Sequence, residues 1–179
     1  IVSYVNAKLP HALLVSGAAM NCAPAVDLGL KTLRWLAHLQ TSEKGFFRPV
    51  GSNGFFPRGG ARAAFDQQPI EAQAMISACI AAHRVTGEES WLKVARRAFE
   101  WFLGRNELGL AVYDTSTGGC RDGLHLDRVS QNQGAESTLA FLLALVEMQA
   151  VQAELSTFKT AEELQAVPGA VPSVPSAKP

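Results

Sequence analysis

A four-residue pattern that occurs twice sets the architecture of this chain. Gln68-Pro69-Ile70-Glu71 and Gln133-Gly134-Ala135-Glu136 both read Q-x-x-E, with the glutamates 65 positions apart, and each opens a strongly apolar stretch. The tryptophans of Leu33-Arg34-Trp35-Leu36 and Phe99-Glu100-Trp101-Phe102 lie 66 positions apart. A repeat of about 65 residues is longer than the common short helical repeats and fits two helices plus one long loop.

The spacing of polar residues predicts two kinds of helix. Segments 24–40 and 90–103 each carry one polar stripe, so both are expected to have one solvent-facing side. Segments 69–85 and 134–151 are apolar nearly all round and are expected to be buried. The predicted helices are 2–19, 24–40, 68–86, 89–103 and 133–154.

These helices predict an all-α fold of α/α hairpin repeats, with buried inner helices surrounded by outer helices. Residues 1–154 are expected to form about half of an (α/α)6-type toroid. Residues 155–179 are expected to form a flexible tail, because the stretch 167–179 carries four prolines. The repeat is degenerate, since the counterpart of Gln68 and Glu71 in the first hairpin would fall on Ser3 and Asn6.

Composition narrows the possible partners. Lys+Arg and Asp+Glu are both 16 in the 179 residues, and this zero net charge argues against binding to nucleic acid. The apolar run Ser137–Val146 is shorter than the roughly 20 residues that span a bilayer, so no membrane span is expected. The three cysteines form no CxxC pair and the histidines show no ligand spacing, which predicts a cytoplasmic protein without a metal site or cofactor.

Two long loops, at about 41–66 and 105–131, gather the residues that suggest chemistry. Paired carboxylates with amide donors and aromatic rings suit a sugar site, where one acid protonates the leaving oxygen and the other acts as base or nucleophile. The candidate catalytic residues are Asp66, Glu71, Asp122 and Glu136. The candidate substrate-binding residues are Gln67, Gln68, Arg121, Asn132, Gln133, Tyr113 and Arg48.

Each candidate also has a purely structural interpretation. Glu71 and Glu136 stand at the third position of their helices, where glutamate commonly caps the backbone and favours the helix dipole. Asp122 precedes a glycine, as in an Asp-Gly turn, and Asp66 can close a loop. Gln68 is not a preferred capping residue, which favours a side chain that reaches into a cavity.

Three longer stretches carry a family likeness. FDQQPIEAQAM, the WF-LGRN-LG-YD run and GGCRDGL…NQGAEST-AFLLAL resemble the C-terminal helical region of bacterial group 1 (GT-B-type) glycosyltransferase-like proteins, over most of residues 1–152. In those proteins an α/α-toroid segment follows the nucleotide-sugar-transferase part. The chain is more loosely similar to six-hairpin glycosidases and sugar epimerases. The resemblance implies a carbohydrate role and places the nucleotide-sugar site outside this segment.

Two hypotheses follow. In the first, the loop face of a glycosyltransferase-like protein binds or processes a glycan or sugar, and the sequence does not decide between binding and carboxylate acid/base catalysis. The alternative is a non-catalytic helical module for interaction or oligomerisation, which forms a homodimer or docks an N-terminal transferase domain. A third class, the isoprenoid-type α/α barrel, would need Asp-rich metal motifs, and the sequence has none.

Overall fold

Five helices account for most of the residues that the structure describes. The computed structural model describes the backbone of residues 1–165 and the side chains of residues 1–157. The helices are α1 (Lys8–Ala19), α2 (Ala23–Leu39), α3 (Pro69–Thr86), α4 (Glu89–Phe102) and α5 (Ala135–Gln165). No strand is found within residues 1–165, where only isolated β-bridges join the loops. The predicted all-α class is confirmed.

Helix α3 is the centre of the packing. Every residue from Glu71 to Ala82 is buried, as its continuous apolar sequence predicts. Helix α3 packs against α4 and α1, while α2 touches it more sparsely and packs mainly on α1. Ser77 Oγ donates to both carboxylate oxygens of Glu147 at 2.8 Å, which links α3 to the N-terminal half of α5.

Helices α2 and α4 each bury one side, as their polar stripes predict. Leu33, Leu36 and Ala37 point inward from α2, and Trp91, Trp101 and Phe102 are among the residues that α4 buries. The two tryptophans that mark the repeat are not equivalent, however. Trp101 is fully buried, whereas Trp35 is 53% exposed, so their shared spacing does not reflect a shared environment.

The ends of α3 follow from its sequence. Pro69 takes the first helical position, where its missing N–H costs nothing. Gly87 ends the helix in the left-handed conformation, with φ at 74°, and donates its N–H to the carbonyl of His83 at 2.7 Å.

Helix α1 begins at Lys8, so its predicted start at residue 2 is wrong. Pro10 lacks the N–H that would bond to residue 6, and proline is tolerated only in the first turn of a helix. The residues before α1 are held by other contacts. Val2 forms an antiparallel bridge with Phe56, and Val5 adopts a left-handed φ of 52°.

Helix α5 continues to Gln165, so its predicted end at residue 154 is wrong. The segment 155–165 contains no glycine or proline, and its backbone is helical rather than the start of a tail. The expected tail otherwise falls on residues 166–179, which lie outside the described residues. The chain divides into two compact units at Met148 and Gln149, and every contact discussed below lies within the first.

The side chain of Gln67 clamps the two long loops to α4. It is fully buried, and its amide donates to the carbonyl of Ala64 and to Glu107 Oε2, both at 2.9 Å. Its Oε1 accepts the indole N–H of Trp101, also at 2.9 Å. The backbone of Gln67 exchanges two hydrogen bonds of 2.9 Å with Leu124 in the second loop. The predicted substrate-binding role of Gln67 is not supported, because its amide is consumed inside the fold.

Replacement of Gln67 by methionine should destabilise the protein strongly. The Gln67→Met variant keeps the length of the side chain but removes three hydrogen bonds. The buried Trp101 N–H, the carbonyl of Ala64 and Glu107 Oε2 each lose a partner. We expect the free energy of unfolding to fall by about 2–4 kcal/mol, measured by urea denaturation. Gln131→Met in the exposed part of the second loop is the control. Equal losses in the two variants would contradict the clamp.

Candidate functional site

The N-terminal ends of α3 and α5 lie on the same side of the first unit. Tyr4 donates its hydroxyl to Glu136 Oε1 at 2.7 Å, and the next residue, Val5, donates its backbone N–H to Glu71 Oε1. Two adjacent residues therefore join the glutamates of the two Q-x-x-E motifs. We call Asn6, Tyr4, Val5, Gln40, Gln68, Glu71 and Glu136 the entrance cluster.

Glu71 is the most perturbed carboxyl group of the cluster. Its side chain is almost completely buried, because α3 is surrounded on all sides. Burial raises the pKa of Glu71 to about 7, against the opposing effects of the Val5 N–H and of Gln40. Glu71 Oε2 has no hydrogen-bond partner among the described residues. The group is therefore able to hold or release a proton near neutral pH.

Several amide atoms around Glu71 are also buried without partners. Gln40 is fully buried and lies near enough to lower the pKa of Glu71, yet within the described residues neither Nε2 nor Oε1 makes a hydrogen bond of normal geometry. Gln68 Oε1 and Asn6 Nδ2 are also buried and have no hydrogen-bond partner among the described residues. Each such atom costs about 1–3 kcal/mol when it stays unpaired. The cluster thus offers both donors and acceptors to a polar ligand.

The capping interpretation of the two glutamates finds no support in their contacts. Gln68 is the N-cap residue of α3 and makes no side-chain capping bond, as its residue type predicts. The carboxylates of Glu71 and Glu136 accept hydrogen bonds from the segment before α1 instead. Both carboxylates still lie in the first turn of a helix, where the dipole favours negative charge.

Asp122 has the contacts of a structural anchor. Its carboxylate accepts the N–H of Gly134 at 2.7 Å, the hydroxyl of Ser137 at 2.8 Å and the side-chain amide of Asn132. Burial works to raise the pKa of Asp122, but these three hydrogen bonds together hold it below its ordinary value. A carboxylate so bound at the start of α5 is a poor proton donor, which favours the structural interpretation for Asp122 and for Asn132.

Asp66 forms a pair that the sequence does not reveal. His125 Nδ1 lies 2.6 Å from Asp66 Oδ1, and both side chains remain partly exposed. The bridge between Gln67 and Leu124 holds the two residues side by side, because each is the direct neighbour of a bridge residue. No spacing or motif marks His125 as the partner of Asp66, since only the pairing of the two loops brings them together.

The remaining candidate residues serve the loops themselves. Arg121 pairs with Asp114 at 2.9 Å, and Gln133 bonds both to Asp114 and to Thr117. Two hydrogen bonds from Ser116, together with Arg121 and Gln133, lower the pKa of Asp114 despite some desolvation. Tyr113 stacks on Phe141 with ring centroids 4.0 Å apart. These contacts leave little of Arg121, Gln133 or Tyr113 for a ligand.

Arg48 is also engaged within the first unit. Its Nε lies 2.6 Å from Glu107 Oε1, and Glu107 binds Gln67 through its other oxygen. Glu107, which no motif in the sequence marks, completes this chain of partly buried polar contacts. Arg48 therefore holds Glu107 in place for its hydrogen bond to Gln67, and its guanidinium is not an unpaired group.

Neither a metal site nor a clear membrane segment emerges from the described residues. No group of three His, Cys, Asp or Glu side chains is placed to hold a metal ion in this part of the chain. The stretch Ala135–Thr157 is long and apolar enough to cross a membrane by length and composition, with 22% of the window buried. A single helix of this kind is weak evidence for a membrane span. The absence of a membrane span, expected from the short uncharged run Ser137–Val146, stays a prediction.

No known family model matches this chain, and no curated protein matches it either.

The raised pKa of Glu71 predicts a specific pH dependence of stability. The folded state binds this proton more tightly than the unfolded chain, whose pKa is 4.5, so the stabilisation is complete below pH 4.5 and is lost as the pH rises through about 7. Glu71→Gln should remove roughly 3 kcal/mol of this fall in the free energy of unfolding, measured by urea denaturation across this range. The control is Glu89→Gln, an exposed first-turn glutamate of α4. An unchanged pH profile in Glu71→Gln would contradict the assignment.

Proposed function

We propose that the entrance cluster binds a carbohydrate, and that the chain is an α/α-toroid segment of a glycosyltransferase-like protein. The observation that carries the proposal is the convergence of Glu71 and Glu136 on one short segment, with buried and unpaired amide atoms beside them. A sugar presents several hydroxyl groups that both donate and accept, and it matches such a mixed set better than a simple anion or cation does.

The helical arrangement supports the toroid part of the proposal. The hairpins α1–α2 and α3–α4 follow each other, α1 packs on α3, and the outer helices each keep one wet side. Long loops precede both α3 and α5, and both carry the Q-x-x-E motif at the helix start. This order is typical of half an α/α toroid, with its polar residues on one rim. The motif likeness to glycosyltransferase-like proteins points in the same direction.

The chemistry of the cluster divides between two residues. Glu71 is the better proton donor, because burial keeps its carboxyl group protonated to higher pH. Glu136 accepts a hydroxyl from Tyr4 and would accept a sugar hydroxyl in the same way. Tyr4 is 44% exposed and offers the apolar face of a ring beside this carboxylate. Asp66 with His125 supplies a second acid/base pair on the adjoining loop.

Amide replacements of the two glutamates test the proposal. We expect Glu71→Gln and Glu136→Gln each to weaken binding of glucose, mannose or cellobiose by about tenfold or more, measured by isothermal titration calorimetry. The reason is that glutamine replaces the acidic proton donor at Glu71 and the carboxylate acceptor at Glu136. Asp127→Asn, at an exposed loop carboxylate, should bind normally. If the glutamate variants lower only the melting temperature, or if none of these sugars binds the wild-type chain, the carbohydrate proposal fails.

The exposed side of α5 favours a second candidate function, self-association. Leu139, Leu142, Leu143 and Val146 follow the i, i+3, i+4, i+7 pattern of one helix face, and each is 43–61% exposed. No charged residue lies between Ser137 and Val146, so two copies of this face would not repel each other. Contiguous apolar surface of this kind commonly marks an interface. A second copy of the chain is the occupant that we propose.

Polar substitutions on this face test self-association. The Leu139→Gln/Leu143→Gln double variant should be monomeric under conditions in which the wild-type chain is dimeric, as measured by light scattering after size-exclusion chromatography. Val15→Gln, at an equally exposed apolar residue of α1, should leave the dimer intact. A wild-type chain that stays monomeric at its highest soluble concentration would rule out this function.

A further inference from the structure

A groove between α2 and α4 has the size and the polar lining of a small-molecule binding site. It has a volume of about 320 Å³, and no residue of the entrance cluster lines it. This volume lies at the lower end of the range for small-molecule pockets. The residues that supply its polar groups are Arg34, His38, Thr41, Ser90, Trp91 and Arg97.

The charge of the groove is one-sided. It contains two guanidinium groups and an imidazole, and none of the described residues that line it is acidic. Glu88 approaches Arg34 at 3.7 Å, but both side chains are about half exposed or more, so this pair is weak. Arg97 donates to Thr41 Oγ1 at 3.3 Å through a single nitrogen. No other hydrogen bond of the Arg97 guanidinium, which has five N–H donors, is found among the described residues.

Trp91 lines the groove beside Arg34. The residue is 3% exposed, and its indole Nε1 is buried without a hydrogen-bond partner among the described residues. Buried indole N–H groups normally find a partner. The guanidinium of Arg34 lies over the Trp91 ring, 5.3 Å from its centroid, and this stacking orients the cation at the groove wall.

We propose that this groove binds the phosphate group of a small phosphorylated molecule. Two arginines provide the planar N–H forks that match phosphate oxygens, and Arg is favoured over Lys for this reason. The hydroxyl groups of Thr41 and Ser90 already donate to the carbonyl of Ala37 and to Glu88, so the two arginines and His38 are the groups that would hold the anion. A neutral sugar would not balance the charge of Arg97 and would leave Arg34 with only its exposed contact to Glu88, whereas a phosphate dianion would neutralise both arginines. This site is independent of the carbohydrate proposal, since the two share no residue.

The indole N–H of Trp91 is a probe of this groove, because the residue lines it and stacks with Arg34. The chain has three tryptophans, so its ¹⁵N spectrum shows three indole signals. The signal that is lost in Trp91→Phe belongs to Trp91. Addition of inorganic phosphate or glucose 6-phosphate should shift the Trp91 signal in a saturable way. Trp101 should not respond, because its indole is bonded to Gln67. Absence of a saturable shift with both probes would overturn the proposal.

Three variants establish which residues carry the binding. Arg34→Gln and Arg97→Gln should each weaken binding of the tighter probe by about tenfold, the effect of one charge-assisted hydrogen-bonding group. Arg34 is 62% exposed, so its variant remains informative even if Arg97→Gln does not fold. Arg96→Gln, at an exposed residue of the same helix, is the control. Equal weakening in Arg96→Gln would show unspecific charge attraction and reject the site.

The two probes separate the possible sources of the phosphate. Glucose 6-phosphate that binds more tightly than inorganic phosphate identifies a site for a phosphorylated metabolite, as proposed. Inorganic phosphate that binds equally well restricts the site to the free ion and overturns the part of the proposal that concerns the attached molecule.

Discussion

The buried amide of Gln67 is the interaction on which the arrangement of the loops depends. Two loops of the length seen here lose much conformational entropy when they become ordered, so their burial of apolar residues such as Phe47, Val112 and Leu124 has to be matched by specific polar contacts. The amide of Gln67 solves this problem with three side-chain hydrogen bonds that reach the first loop, Glu107 and α4. The backbone bridge to Leu124 then fixes the second loop. Because Asp66 and Gln68 flank this residue, the clamp also determines where the candidate functional groups stand.

The second determinant is the burial of α3 from Glu71 to Ala82. The packing of α4, α1 and α2 on this helix provides a low-dielectric environment for the one carboxyl group at its start. The raised pKa of Glu71 is thus a consequence of the same apolar sequence that forms the core. The corresponding start of α5 is less enclosed, and Glu136 there is exposed. The two halves of the repeat share a motif but differ in solvation, which gives their glutamates different chemical properties.

Much of the helical framework is predictable from local sequence. Proline at the start and glycine at the end define α3 within one residue, and the polar stripes identify the wet sides of α2 and α4. The start of α1 was also predictable, because Pro10 limits how far the helix extends toward the N-terminus. The end of α5 requires recognition that 155–165 contains no helix-breaking residue.

The contacts of the candidate site depend instead on pairs that are distant in sequence. Asp66 with His125, and Val5 with Glu71, meet only after the loops and the N-terminal segment have packed. The unusual features of Glu71 and Gln68 are predictable, since a buried helix start and a poor capping residue are local properties. The framework contacts of Asp122, Gln67 and Gln133 are not predictable, because their residue types suit ligand binding and framework bonding equally well.

The position of Tyr4 and Val5 has a consequence for ligand recognition. A phenolic hydroxyl and a backbone amide already occupy one oxygen of Glu136 and one oxygen of Glu71. Their hydrogen-bonding chemistry imitates that of a hydroxylated ligand, and their attachment to α1 gives them a high effective concentration. The chain thus carries its own intramolecular competitor. A ligand that binds these carboxylates must either displace Tyr4 and Val5 or bind to the other oxygen of each carboxylate.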